Sequence, residues 1–134
     1  MKNNDFKAVA ADKNNPNYGE LTRRENGLYS EKGEVRSEFA RDYTRVLHST
    51  AYRRLKHKTQ VFYNIENDHI CTRMEHVLHV ESAAYTIAKR LKLNDELTRA
   101  IAMAHDLGHA PFGHHGERII GKLYKKYLQG ETFW

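Results

Sequence analysis

In four segments of this chain apolar residues return every three or four positions, a spacing that gathers them on one face of a helix. The first segment starts at Ser37 and carries Phe39, Tyr43, Val46, Leu47, Ala51 and Leu55. Ser37 suits an N-cap, and Glu38 suits the positive end of the helix dipole. The second runs from about Thr72 to Leu91, with Val77, Val80, Ala84, Ile87, Ala88 and Leu91 in phase. Asn94 then caps a third, whose Asp95 and Glu96 complement the dipole and whose Leu97, Ala100, Ile101 and Ala104 are expected to face the core. Gly108, Pro111 and Gly113 close it. A fourth starts near His114 or His115 and carries Ile119, Ile120, Leu123, Tyr124, Tyr127 and Leu128. The spacing predicts a mainly α fold with the short connections that helix–helix packing uses.

Two stretches lack this periodicity. Residues 1–35 hold Asn-Asn-Pro-Asn, Tyr-Gly, Asn-Gly and Lys-Gly, and this density of turn formers predicts an irregular arm that wraps or stays mobile. Residues 57–70 contain Val61-Phe62-Tyr63 followed by Asn64, Asn67 and Asp68, which reads as a short extended piece and a loop. At 134 residues, with 40% hydrophobic and 29% charged residues, the chain has room for one modest core.

No segment approaches the roughly 20 apolar residues that a membrane helix needs, and the N-terminus lacks the apolar stretch of a secretory signal, so the expected location is the cytoplasm with no membrane partner. Cys71 is the only cysteine, which excludes an intrachain disulfide and leaves histidine and carboxylate as the ligands for any metal. The net charge of +5 favours anionic partners, nucleotides or nucleic acid among them.

The segment that points to chemistry is His105-Asp106-Leu107-Gly108-His109-Ala110-Pro111-Phe112-Gly113-His114-His115-Gly116-Glu117. A single histidine beside an apolar face is usually a core residue with a hydrogen-bond partner. Four histidines and two acids in thirteen residues are another matter, because desolvating so many titratable groups is costly unless a metal or an anion uses them. An adjacent imidazole and carboxylate at the end of the third helix can grip one cation, with a further ligand from a second helix. His76 is the leading candidate, since antiparallel packing brings it opposite His105. Nitrogen and oxygen donors together suit manganese, magnesium, iron, nickel or zinc. His79 reads as a neighbour of His76 rather than a ligand, and His48, His57, His69 and His115 receive no metal role.

Arg73-x-x-His76, then His105-Asp106-x-Gly108-His109, then Pro111-Phe112-Gly113-His114-x-x-Glu117 resemble, in this order, the motifs of the HD-domain deoxynucleoside triphosphate triphosphohydrolases. The block from Arg41-Asp-Tyr-Thr-Arg45 through His48-Ser49-x-Ala51-Tyr-Arg53-Arg54-Leu55 to Lys58-Thr59-Gln60-Val61 resembles the bacterial deoxyguanosine triphosphate hydrolases in particular. The likeness covers about residues 36–120.

The resemblance implies that His76, His105 and Asp106 hold a divalent metal and that His109, His114 and Glu117 line the reacting phosphate. It implies a reaction that cuts between the α-phosphorus and the 5′ oxygen, releasing a deoxynucleoside and tripolyphosphate. It places Gln60 near the sugar 3′ hydroxyl. Arg73 is the first choice for the phosphates, because a guanidinium binds oxyanions bidentately and keeps its charge. For Arg41, Arg45, Arg53 and Arg54 a solvated helix face and a phosphate or interface role stand side by side, with Arg45 taken as a substrate-binding candidate. Relatives of this kind commonly form homo-oligomers, and some respond to effector nucleotides or single-stranded DNA.

The family's fourth metal ligand is an aspartate far downstream, and no aspartate follows Asp106 in this sequence. The expectation is therefore the N-terminal part of a larger enzyme: an arm over residues 1–35 and part of a helical HD domain over residues 36–134. The rival readings are another HD-domain nucleotide phosphohydrolase using the same triad, and a nucleotide- or nucleic-acid-binding module with an incomplete site.

Overall fold

The computed structural model describes residues 6–27, 32–58, 67, 69–110 and 112–128. Among these the chain forms six α-helices and no strand: α1 (Tyr18–Leu21), α2 (Glu38–His48), α3 (Thr50–Arg54), α4 (Arg73–Leu91), α5 (Asp95–Ala104) and α6 (Gly113–Leu128). Single 3-10 turns lie at Lys7–Val9 and Leu55–His57. The extended piece expected at Val61-Phe62-Tyr63 falls outside the described residues. No helix among them is long and apolar enough to cross a membrane.

The helix starts follow the capping chemistry. The Ser37 hydroxyl accepts from the Ala40 amide at 3.0 Å, and the Asn94 side chain accepts from Leu97. Thr72 and Glu75 form a reciprocal capping box at the head of α4, which satisfies two otherwise orphaned amides. Lys92 ends that helix in the left-handed region at φ 57°.

One expectation is corrected. The apolar stripe from Phe39 to Leu55 does not lie on a single helix, because Ser49 adopts an extended conformation (φ −70°, ψ 149°) and its hydroxyl caps a new helix by accepting from Tyr52. The local hydrogen bond of a serine side chain competes with helix continuation. The break leaves Tyr52 and Leu55 still turned inward, where they join Val77 and Met103 in the core, with Tyr43, Val46, Met74 and Leu107 packed around them. Leu55, Val77 and Met103 are fully buried, and side chains of this size each contribute about 1.5–3 kcal/mol on leaving water.

Helix α5 lies against both α2 and α4, so its small residues meet the neighbours. Ala100, Ala102 and Met103 are buried, while Ile101 is 60% exposed and Ile87 of α4 is 58% exposed, contrary to the inward positions expected for both isoleucines. Two helices flank α5, and the close approach selects alanine over the bulkier β-branched neighbour. Ile119, Ile120, Leu123 and Tyr127 of α6 are exposed.

The described part of the arm docks. Asx turns at Asp12 and Asn15 fold it locally, and the Asn94 amide donates to the Ala11 carbonyl at 2.6 Å, which leaves Ala10 and Ala11 buried. The Tyr18 ring meets Phe39 edge-on, and Arg24 pairs with Asp42 at 2.7 Å and Glu38 at 3.3 Å.

Candidate metal centre

Helix α5 stops at Ala104, and His105 follows as its C-cap. The His105 Nδ1 lies 2.6 Å from the Ala102 carbonyl. A carbonyl only accepts, so Nδ1 carries the proton and Nε2 presents a lone pair, the tautomer a metal ligand needs. His76, one turn into α4, brings its ring to 5.4 Å from that of His105. Asp106 completes the group: donor atoms of His76, His105 and Asp106 all lie within 4.8 Å of one another. Two imidazole nitrogens and a carboxylate oxygen fit a divalent transition metal or manganese better than the all-oxygen sites of calcium.

Arg73 stands beside this group. Its Nη1 donates to Asp106 Oδ2 at 3.0 Å, and both side chains are largely buried. The arginine expected to take phosphate is thus tied to the aspartate expected to take metal. Such a contact fixes the orientation of the carboxylate. His79 is exposed.

A second cluster follows along the chain. Three residues in the left-handed region, Gly108 (φ 79°), Phe112 (φ 65°) and Gly113 (φ 60°), reverse the backbone between α5 and α6. This turn sets His109 against the first turn of α6. Glu117 then accepts from His114 Nδ1 through Oε2 at 2.8 Å, while His109 Nδ1 stands as a close contact 2.8 Å from Oε1. The His114–Glu117 link uses the i, i+3 spacing of a helix, whereas the His109 link depends on the turn. Because an ionised carboxylate only accepts, the His114 Nδ1 is the donor and its Nε2 remains free to take a proton. The hydrogen bond from His114 and the neighbouring imidazoles hold the Glu117 carboxyl below the usual carboxylate range. His109 is mostly buried, while the His114 side chain is 86% exposed and able to meet a ligand.

Gly113 bears on this geometry. A Cβ there would sit 3.4 Å from His109 Nε2 at a positive φ. Gly113→Ala is expected to lower the unfolding free energy by about 1–2 kcal/mol, since an L side chain resists the left-handed region. Denaturant titration checks this, and an unchanged midpoint would mean that the turn relaxes around the methyl group.

Of the remaining residues, Arg45 is exposed on α2 with Asp42 at 3.5 Å. Arg41, for which a solvated face was one reading, is instead buried, with Glu38 at 3.1 Å. Gln60 lies outside the described residues. Sequence reasoning gave no role to Lys58, whose Nζ donates to the His109 carbonyl at 2.8 Å. Its one signal was its place at the head of the Lys58-Thr59-Gln60-Val61 block.

Comparison with known proteins places these residues in a wider group. Residues 73–133 match the HD domain family. A deoxyguanosinetriphosphate triphosphohydrolase-like protein of Caldanaerobacter subterraneus subsp. tengcongensis is 56% identical over 95 residues, which is 71% of this chain and 28% of that protein. A protein of the same description from Rhodopseudomonas palustris is 55% identical over 93 residues, 69% of this chain and 23% of that one. Another from Pelagibacter ubique is 48% identical over 104 residues, 78% of this chain and 26% of that one. The chain spans about a quarter of the length of the curated relatives it matches.

Proposed function

Because residues 73–133 match the HD domain family, we propose that the chain forms part of a metal-dependent hydrolase that converts a deoxynucleoside triphosphate to a deoxynucleoside and tripolyphosphate. The observation that carries this reading is the meeting of His76, His105 and Asp106 at one point, with the His109–Glu117–His114 group on the adjoining turn and helix. A divalent ion held by the triad would acidify a bound water and polarise a phosphoryl oxygen.

The rest of the chemistry belongs to side chains. His114, exposed and with its Nε2 free, is placed to take a proton from the attacking water and pass it to the leaving 5′ oxygen, and Glu117 fixes the tautomer that leaves Nε2 available. His109 braces the other carboxylate oxygen and lines the phosphate. Arg73 has guanidinium N–H groups beyond the one given to Asp106, and these can meet a phosphate oxygen. Gln60 would bind the sugar 3′ hydroxyl through an amide that both donates and accepts, and Arg45 would contribute charge at the rim. Residues 1–35 serve as an arm on the helical part, residues 36–134. We extend the same reading to a cytoplasmic homo-oligomer open to effector nucleotides or single-stranded DNA.

Product analysis tests the reaction. Intact protein incubated with each deoxynucleoside triphosphate and manganese should release deoxynucleoside and tripolyphosphate in equal amounts. Orthophosphate, or a monophosphate with pyrophosphate, would instead identify another HD-domain phosphohydrolase. Binding without turnover in metal-loaded protein would identify a nucleotide-binding module.

A further inference from the structure

From its three contacts we infer that Lys58 is a positioning residue, locking the turn that carries His109 to the head of the helix that carries His76. The inference rests on the hydrolytic reading of the site. Lys58 follows the 3-10 turn in an extended conformation (φ −112°, ψ 122°), and its amide closes that turn on Leu55 at 3.2 Å. Its carbonyl accepts from the Arg73 amide at 2.8 Å. Arg73 opens α4, so this amide is one of the orphan donors at a helix start, and Lys58 satisfies it. The third contact is the one a lysine has no general reason to make. Its ammonium, ordinarily strongly hydrated at a surface, donates to the main-chain carbonyl of His109 at 2.8 Å, fifty-one residues away.

One residue thereby spans the two halves of the site. The Arg73 contact fixes the helix start three residues before His76, and the His109 contact fixes the backbone from which His109 reaches Glu117 Oε1. The His109 amide is itself bonded back to the Asp106 carbonyl at 3.3 Å, so the Lys58 ammonium closes the loop from the other side. If this bond is lost, the turn can drift, Glu117 loses its contact with the His109 imidazole, and the carboxylate that orients His114 is freed to rotate. Misplacement of such a group by about 1 Å can lower a rate by as much as a hundredfold; with the His109 and Glu117 side chains still present, the expected loss is about tenfold.

The test uses Lys58→Met, which keeps the stem and removes the donor, and Lys58→Arg, which restores one. In the intact protein, nitrogen-resolved NMR of the histidines should show a downfield Nδ1–H resonance from His114 bonded to Glu117 and a resolved ring resonance from His109 beside the same carboxylate. Lys58→Met should broaden or lose the His109 resonance while retaining bound manganese and helical circular dichroism. Its kcat should fall about tenfold with KM within twofold. Lys58→Arg should recover both the resonance and most of kcat. The resonances report the positioning even if the protein hydrolyses no triphosphate, so failure of this inference is separable from failure of the proposed reaction.

Retention of both resonances with wild-type kcat in Lys58→Met would overturn the inference. So would a loss confined to KM, which would put Lys58 on the substrate. A lowered unfolding midpoint with normal resonances and kcat in the folded protein would reduce Lys58 to a structural strut. Should Lys58→Met fail to fold, Lys58→Arg carries the decision: a folded variant without the His109 resonance and without recovered turnover would overturn the inference too.

Discussion

Asp106→Ala in the intact protein is expected to abolish both metal retention and hydrolysis, and His105→Ala and His76→Ala are expected to do the same. Removing a partner that merely orients a ligand typically costs 10–100-fold in metal affinity, and removing the ligand itself should cost more than that. Among the described residues no other histidine, cysteine or carboxylate joins these three. Asp106→Ala has a second consequence: it leaves the largely buried Arg73 guanidinium without its carboxylate, so a positive charge takes the place of a negative one where the cation should sit. Asp106→Asn separates the two effects, because it keeps an oxygen that can accept from Arg73 while removing the charge. The control is His79→Ala, three residues beyond His76 and exposed, which should retain the metal. Metal analysis of the purified variants decides. Full occupancy in His105→Ala or Asp106→Ala would remove these residues from the metal set.

The sequence was informative where structure depends on neighbours along the chain. Helix α5 begins after Asn94, as its capping chemistry indicates, and α4 begins after Thr72 because the capping box is written within four residues. Periodicity could not reveal the break at Ser49, since the stripe keeps its phase across it and the deciding hydrogen bond is a side-chain choice between two conformations. It also misplaced Ile87 and Ile101, because a 3.6-residue period marks a broad face and only the packing of α2 and α4 on α5 selects alanine positions within it.

Within the site, the i, i+3 proximity of His114 and Glu117 could be read directly from helix geometry. The His109–Glu117 contact could not, for it requires Phe112 in the left-handed region, where sequence gives a phenylalanine no preference. The Arg73–Asp106 pair was equally hidden: it joins residues thirty-three apart through the packing of two helices. The docking of the arm likewise rests on long-range bonds, such as that from Asn94 to Ala11, which turn-forming residues do not announce.

His114→Ala should separate proton transfer from metal binding. Its side chain is exposed and its Nδ1 is held by Glu117, so truncation leaves the core untouched and the His76–His105–Asp106 group intact. The variant should keep its metal, bind substrate within a fewfold of wild type, and lose turnover by about a hundredfold or more, about 2.7 kcal/mol of transition-state stabilisation and the usual scale of general acid–base catalysis. Glu117→Gln should be milder, at about tenfold. An amide offers one acceptor oxygen and one donor nitrogen, so it can still receive the His114 Nδ1–H but must then turn N–H groups toward His109. If the amide flips, His114 loses its fixed tautomer. The native carboxylate suits both imidazoles because its depressed pKa keeps it ionised below the pH at which an ordinary carboxyl takes up a proton. If His114 only helped to start α6, its loss would lower stability slightly and leave turnover alone. Metal content, substrate affinity and single-turnover rate measured on the same preparations of His114→Ala and Glu117→Gln distinguish these cases, and near wild-type turnover in His114→Ala would end the assignment of a catalytic proton to that residue.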